Sequence, residues 1–251
     1  MGMDTISRSI NSATWFVCLQ PNPAAETRLF IFPYAGGSPA AFSKWTMDNI
    51  ELQVAHYPGR GSRFNEPLIK EIETLVQSLS LAIQPFLDKP FAVFGHSMGG
   101  LIAFELTRSL RRQRFPQPKM LFVSAHAAPQ FRDWNPPLHA LPDDEFIAVL
   151  QRFKSIPAEL LNQPEALKIL LPTVRADFEA VETYRFDSNE PPLDIPIIAF
   201  GGLNDERVNR ERLEGWLLQT TSRFESHRFP GDHFFIHTAR DAVISSIAAK
   251  L

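Results

Sequence analysis

Cysteine is almost absent. The chain of 251 residues has one, Cys18, so no internal disulfide and no Cys-rich zinc site can form. Long apolar runs are missing as well, and none approaches the roughly 18 residues needed to span a bilayer. The N-terminus, Met1-Gly2-Met3-Asp4-Thr5-Ile6, lacks a basic segment followed by an apolar one and does not read as a secretory signal. It also departs from the myristoylation pattern, which wants Ser or Thr where Ile6 stands. Positive charge is not in excess: 25 Lys and Arg against 28 Asp and Glu give a net charge of −3. Such a chain, with no long basic run, is ill suited to grip phosphate backbones, so no nucleic-acid partner is expected. Pro58-Gly59-Arg60-Gly61-Ser62-Arg63 lacks the G-x-x-x-x-G-K-[ST] spacing, which excludes a P-loop. Internal repeats and low-complexity tracts are absent.

What remains is an ordinary globular balance, 44% hydrophobic and 21% charged, in a chain long enough to bury a core without staples. The expectation is a cytoplasmic protein with no membrane association, and nothing requires more than a monomer. Short apolar runs bounded by Gly or Pro recur at Arg28–Phe32, Leu52–Tyr57, Phe91–Phe94, Met120–Ser124, Ile197–Phe200 and Phe224–Phe229. They read as strands buried on both faces of a mostly parallel sheet. Ile72, Leu75, Val76, Leu79, Ile83 and Phe86 recur at helical spacing between two of them. Leu101, Ile102, Phe104, Leu106 and Leu110 mark a central helix, and Val243, Ile244 and Ile247 a closing one. Alternating strand and helix predicts an α/β architecture, a central sheet flanked by helices. Residues 129–187 break the alternation. They read as helices near Asp143–Phe153, Pro164–Leu170 and Thr173–Tyr184, a candidate lid inserted between core segments 1–128 and 188–251.

Gly95-His96-Ser97-Met98-Gly99 matches G-x-S-x-G between a strand and a helix. A sharp turn there projects the serine above the sheet at a helix N-terminus, as a nucleophile elbow requires. A serine nucleophile needs a base, and the base needs an orienting acid. Chains with this elbow place them in the order nucleophile, acid, histidine. His233 lies after the last strand in Gly231-Asp232-His233-Phe234-Phe235 and is the candidate base, with His237 one helical turn on as its rival. His96, His56, His126, His139 and His227 are worse placed. Asp205, in Gly201-Gly202-Leu203-Asn204-Asp205, is the candidate acid, and a helix-capping role is its bland alternative. Asp133 is a second candidate. The oxyanion donors are expected from the N–H groups of Met98 and of Ala35, the latter in Phe32-Pro33-Tyr34-Ala35-Gly36-Gly37. Cys18 reads as a small hydrophobe. Arg111-Arg112-Gln113-Arg114 reads as a helix end favoured by the dipole, or as a surface for an acidic partner.

Taken in order, these motifs resemble the type II thioesterases that accompany nonribosomal peptide and polyketide synthases. Tyr57-Pro58-Gly59-Arg60-Gly61-Ser62-Arg63 with Glu66-Pro67, and Leu171-Pro172-Thr173-Val174-Arg175-Ala176-Asp177-Phe178, extend the likeness from about Trp15 to His237. The resemblance implies an α/β-hydrolase fold with a helical lid. It implies hydrolysis of acyl or aminoacyl thioesters on the phosphopantetheine arm of acyl or peptidyl carrier proteins, in the making of antibiotics and related products. It assigns Ser97 as nucleophile, Asp205 as acid, His233 as base, and Ala35 and Met98 as oxyanion donors. No cofactor or metal is implied, since the substrate itself carries the phosphopantetheine. The chain departs from the family's usual glycines at Phe153-Lys154-Ser155-Ile156-Pro157 and at Asp232. A carboxylesterase or lipase acting on oxygen esters, and a non-catalytic carrier-binding protein, are the alternatives.

Overall fold

Thr27–Phe32 reads TRLFIF, and a strand's period of two sends neighbouring side chains to opposite faces. In the computed structural model, which describes residues 12–131, 136–156 and 162–251, Leu29 and Ile31 enter one core while Phe30 and Phe32 enter another. The same division holds in the other central strands. Among the described residues the strands are β1 (Phe16–Gln20), β2 (Thr27–Phe32), β3 (Ile50–Ala55), β4 (Phe91–His96), β5 (Leu121–Ser124), β6 (Ile197–Gly202) and β7 (Phe224–Phe229). They form one sheet in the order β1-β3-β2-β4-β5-β6-β7. Every pair is parallel except β1 with β3.

The α-helices among the described residues are α1 (Ser12–Trp15), α2 (Ile72–Ala82), α3 (Met98–Arg112), α4 (Asp143–Arg152), α5 (Pro164–Thr183), α6 (Arg210–Glu214), α7 (Phe235–Thr238) and α8 (Arg240–Ala248). The apolar stripe of α2 packs with α3 and Trp216 on one face of the sheet. Val243 and Ile247 of α8 cover the other face beside Phe42 and Trp45. Helices on both faces let the central strands be apolar throughout. Register is also set by charge. Arg28 on β2 lies opposite Glu51 on β3, and their side chains meet at 2.6 Å with both largely buried.

Two readings of the sequence need correction. Phe16–Gln20 is a strand beyond the six expected, so Cys18 lies in the sheet opposite Gln53. It escapes sequence reading because it is a half-buried edge strand, in which only Phe16 is fully buried. The two helices expected around Pro172 are one continuous helix, α5. Proline supplies no N–H to the preceding turn, but Leu171, Val174 and Phe178 are buried on both sides of it and hold the rod together. Arg111 and Arg112 do meet an acid, but it is the chain's own Glu190, at 2.9 and 2.6 Å, joined by Arg108 at 2.9 Å.

A third apolar cluster lies apart from the sheet layers. Phe146 and Leu150 of α4 pack on Leu167, Leu171, Val174 and Phe178 of α5. Arg175 ties the two helices, donating to the carbonyls of His139 and Leu141 and to Asp143, with its guanidinium 4.4 Å from the Phe146 ring centre.

Phe104 of α3 meets Trp216 edge-on at 5.1 Å between ring centres and is fully buried. Phe104→Ala should therefore cost about 3–5 kcal/mol, read as a lowered urea midpoint. A loss below about 1 kcal/mol would show that this contact does not anchor α3.

Candidate active site

The turn from β4 into α3 presents Ser97. Its backbone is forced to φ 54° and ψ −121°, a conformation L-residues avoid. Two hydrogen bonds hold it, Ser97 N–H to the Ser124 carbonyl at 2.7 Å and Gly100 N–H to the Ser97 carbonyl at 2.8 Å. Close approach explains the flanking glycines. A Cβ on Gly99 would lie 1.9 Å from the Phe32 carbonyl oxygen, and one on Gly95 equally close to that of Gly99. The elbow thus rests on the end of β2, from which the Tyr34-Ala35 loop departs.

Three loops at the carboxyl ends of parallel strands bring the site together. Ser97 follows β4, Asp205 follows β6 and His233 follows β7. His233 Nε2 lies 3.0 Å from Ser97 Oγ, and His233 Nδ1 lies 2.9 Å from Asp205 Oδ2. The other oxygen of Asp205 accepts from the N–H groups of Arg207 (2.8 Å) and Val208 (3.2 Å). The capping role and the histidine-holding role therefore fall on different oxygens of one carboxylate.

Burial pushes the Asp205 carboxyl upward, but the hydrogen bond and charge of His233, with the two N–H donors, hold it below the usual carboxylate range. Burial lowers His233, and the nearby Arg207 charge lowers it further. Asp205 opposes both without prevailing. The imidazole is therefore neutral near pH 7. Its Nδ1–H donates to the ionised Asp205, which leaves Nε2 free to accept the Ser97 hydroxyl proton. A buried serine, neutral histidine and ionised aspartate in line can transfer a proton off the serine as it attacks a carbonyl.

The remaining histidines part company here. His237 bonds the Tyr34 hydroxyl at 3.1 Å and stacks on Phe234. His96 is fully buried against Ser124 Oγ at 2.8 Å. His227 pairs with Glu225 on the sheet edge. Asp133, the second candidate acid, lies outside the described residues, as does Pro157.

Ala35, Ser97, Met98 and His233 line one cavity of about 640 Å³. Its apolar walls include Leu101, Phe153, Phe178, Val181 and Phe186. A second cavity of about 420 Å³ shares Arg152, Phe153, Arg207 and His233 with the first.

Residues 27–251 match a family model described as a thioesterase domain. The chain belongs to that family. It is 40% identical over 240 residues to the gramicidin S biosynthesis protein GrsT of Aneurinibacillus migulanus, covering 94% of this chain and 93% of the relative. Among solved structures it resembles RedJ, a thioesterase from the prodiginine pathway of Streptomyces coelicolor, with a TM-score of 0.86, 33% identity and 91% coverage of each chain. It is similar to BorB, a type II thioesterase from the borrelidin biosynthetic cluster, with a TM-score of 0.86 and 31% identity over 94% of this chain and 97% of BorB. The fold is that of the α/β-hydrolases, and the activity is thioester hydrolysis of the serine-hydrolase kind.

The cavities of this thioesterase are also lined by residues that the sequence reading did not choose. Arg207 lines both cavities, and its guanidinium lies 4.9 Å from the Phe153 ring centre. Its place two residues after Asp205 was the available signal. His126 lines the larger cavity, and burial pushes it down to about 4, so it contributes a neutral surface. The two departures from the family's glycines meet each other. Lys154, at φ 53°, reaches Asp232 with Nζ to Oδ2 at 2.8 Å.

Gly99→Ala should destabilise the protein by more than about 3 kcal/mol, because no rotamer relieves a clash with a backbone oxygen. Urea unfolding measures it. A stable and fully active Gly99→Ala protein would contradict this account of the elbow.

Proposed function

We propose that this thioesterase is an editing enzyme of a peptide or polyketide synthase. It removes acyl or aminoacyl groups from the phosphopantetheine arm of carrier proteins. The observation that carries this reading is the Ser97–His233–Asp205 relay facing a cavity of about 640 Å³, in a chain similar over nearly its whole length to thioesterases of biosynthetic clusters.

The reaction has two halves. Ser97 Oγ attacks the thioester carbonyl while His233 Nε2 takes its proton. The N–H groups of Ala35 and Met98 hold the oxyanion of the tetrahedral intermediate. Collapse breaks the C–S bond, and the proton on His233 passes to the departing thiolate. Water, giving a proton to His233, then attacks the acyl-Ser97 ester; collapse breaks the ester C–O bond, His233 returns the proton to Ser97 Oγ, and the free acid leaves. No cofactor of the enzyme's own enters this scheme, and the prosthetic arm belongs to the carrier.

Intact-mass analysis of acyl-loaded carrier proteins tests the reading directly. Acetyl, aminoacyl and longer loads should be lost with the parent protein and retained with Ser97→Ala, whose rate should fall by several orders of magnitude. Intact carriers beside rapid cleavage of a simple oxygen ester would replace this reading with an esterase. Retention of both substrates by a folded protein would replace it with a carrier-binding role.

The pH profile gives a second prediction. The neutral form of His233 is the base, and its folded-state value is lowered. Activity should therefore persist at neutral pH and fall only as pH drops through an inflection below the ordinary histidine value of about 6.5. Asp205 stays ionised throughout that window. An inflection above pH 7 in kcat/KM would overturn the electrostatic assignment.

A further inference from the structure

Three segments that the relay does not use converge beside it. They are Tyr34-Ala35-Gly36-Gly37 after β2, Pro58-Gly59-Arg60 after β3, and Thr173-Val174 with Asp177 in the middle of α5. Arg60 and Asp177 are both buried and form a two-armed ion pair, with both contacts at 2.8 Å. The Asp177 Oδ2 that meets Arg60 also accepts from the Gly36 N–H at 2.7 Å. Arg60 donates onward to the carbonyls of Gly37 at 3.3 Å and Pro58 at 3.2 Å. One turn earlier in α5, Thr173 Oγ1 donates to the Gly59 carbonyl at 2.9 Å. Val174 fills the remaining gap so closely that a Cβ on Gly36 would lie 2.9 Å from its Cγ2.

Holding a helix against two loops does not call for buried charge. An apolar pair of similar volume serves as well or better, because both ions must be stripped of water. What an apolar pair cannot do is accept the Gly36 N–H. That N–H belongs to the peptide unit following Ala35, and the unit is planar. Fixing its donor fixes the unit's rotation. The turn closes with Gly37 N–H to the Tyr34 carbonyl at 2.8 Å, so Ala35 is held between two pinned points. A lone buried carboxylate here would oppose negative charge developing nearby. The two-armed contact with Arg60 neutralises it.

We infer that Asp177, clamped by Arg60, positions the Ala35 N–H in the oxyanion hole, so that the lid helix α5 is part of the catalytic apparatus. This rests on the reading of Ala35 as an oxyanion donor in the proposed function. Asp177 and Arg60 touch no reacting atom in this scheme and are positioning residues.

The test uses the full chain with an acyl-pantetheine thioester and a boronic acid that forms a charged tetrahedral adduct on Ser97. Asp177→Ala should lower kcat by about 10- to 100-fold, part of the cost of losing one oxyanion donor, with KM changed less than about threefold. Boronate affinity should fall alongside kcat. Asp177→Asn keeps an oxygen for the site that receives two donors, so its kcat should stay within about threefold of the parent even where its melting temperature drops. It also covers the case in which Asp177→Ala fails to fold. A purely structural clamp would lower the melting temperature of both variants and leave kcat and boronate affinity in place, which overturns the inference. So would an Asp177→Asn protein that is folded and loses more than about tenfold in kcat. A parent protein no more active than Ser97→Ala marks failure of the relay reading instead, whatever Asp177 does.

Discussion

Ser97 occupies a backbone conformation that costs energy on its own, of order 1–3 kcal/mol for a residue of this kind, and the surrounding contacts make it obligatory. Its N–H is committed to the Ser124 carbonyl across the sheet, and the turn that follows is pressed onto the Phe32 carbonyl through Gly99. Both contacts come from neighbouring parallel strands, β5 and β2, that end level with β4. The strain is thus borne by the most buried part of the sheet. One consequence is geometric. The same contact that permits the elbow brings the end of β2, and so the Ala35 loop, beside the serine. The nucleophile and one of its proposed oxyanion donors are therefore set by a single close approach of backbone to backbone.

Burial shapes the electrostatics of the relay in two directions. It lowers His233 and would raise Asp205. For the histidine, the Arg207 cation reinforces burial, and the result is a neutral base. For the aspartate, hydrogen bonds from His233, Arg207 and Val208 outweigh burial, and the result is a stable anion. The loop after β6 therefore has two opposed duties within three residues. In the proposed reaction Asp205 stabilises the imidazolium that forms, while Arg207 adds to burial in holding the resting ring below the ordinary histidine value. A neutral residue at 207 would leave the resting histidine closer to its ordinary value.

Much of this was legible in the sequence, because its signals were local. The continuous apolar runs of β2, β4 and β6 gave the parallel sheet, and G-x-S-x-G between strand and helix located Ser97. Chain order and loop position singled out Asp205 and His233, which the fold brings into contact across 28 residues of sequence. What stayed hidden depended on distant partners. β1 exists because β3 pairs with it, since its own side chains are only half-buried. The continuity of α5 through Pro172 depends on burial on both sides, which no local propensity encodes. Arg60 was given no role of its own in the sequence, because Asp177, 117 residues away, gives it its meaning.

The single helix α5 also divides its contacts along its length. Its middle turn, Thr173 to Asp177, is bound to the loops after β2 and β3. Its C-terminal part supplies Phe178 and Val181 to the cavity wall, where Tyr184, just past α5, and Phe153, just past α4, also contribute. Side chains in that wall can change size or polarity without disturbing Asp177. A bulky residue at 181 would shorten the space for an acyl chain while the Gly36 contact stayed intact. On the proposed reading, substrate range and oxyanion geometry reside on different turns of one rod, so the cavity wall can be retuned for different acyl groups while the relay is preserved. Had α5 been broken at Pro172, the N-terminal piece would have carried neither function. Its continuity lets α4, packed on Leu167 and Leu171, be held in place by the same helix that meets the Tyr34-Ala35-Gly36 loop.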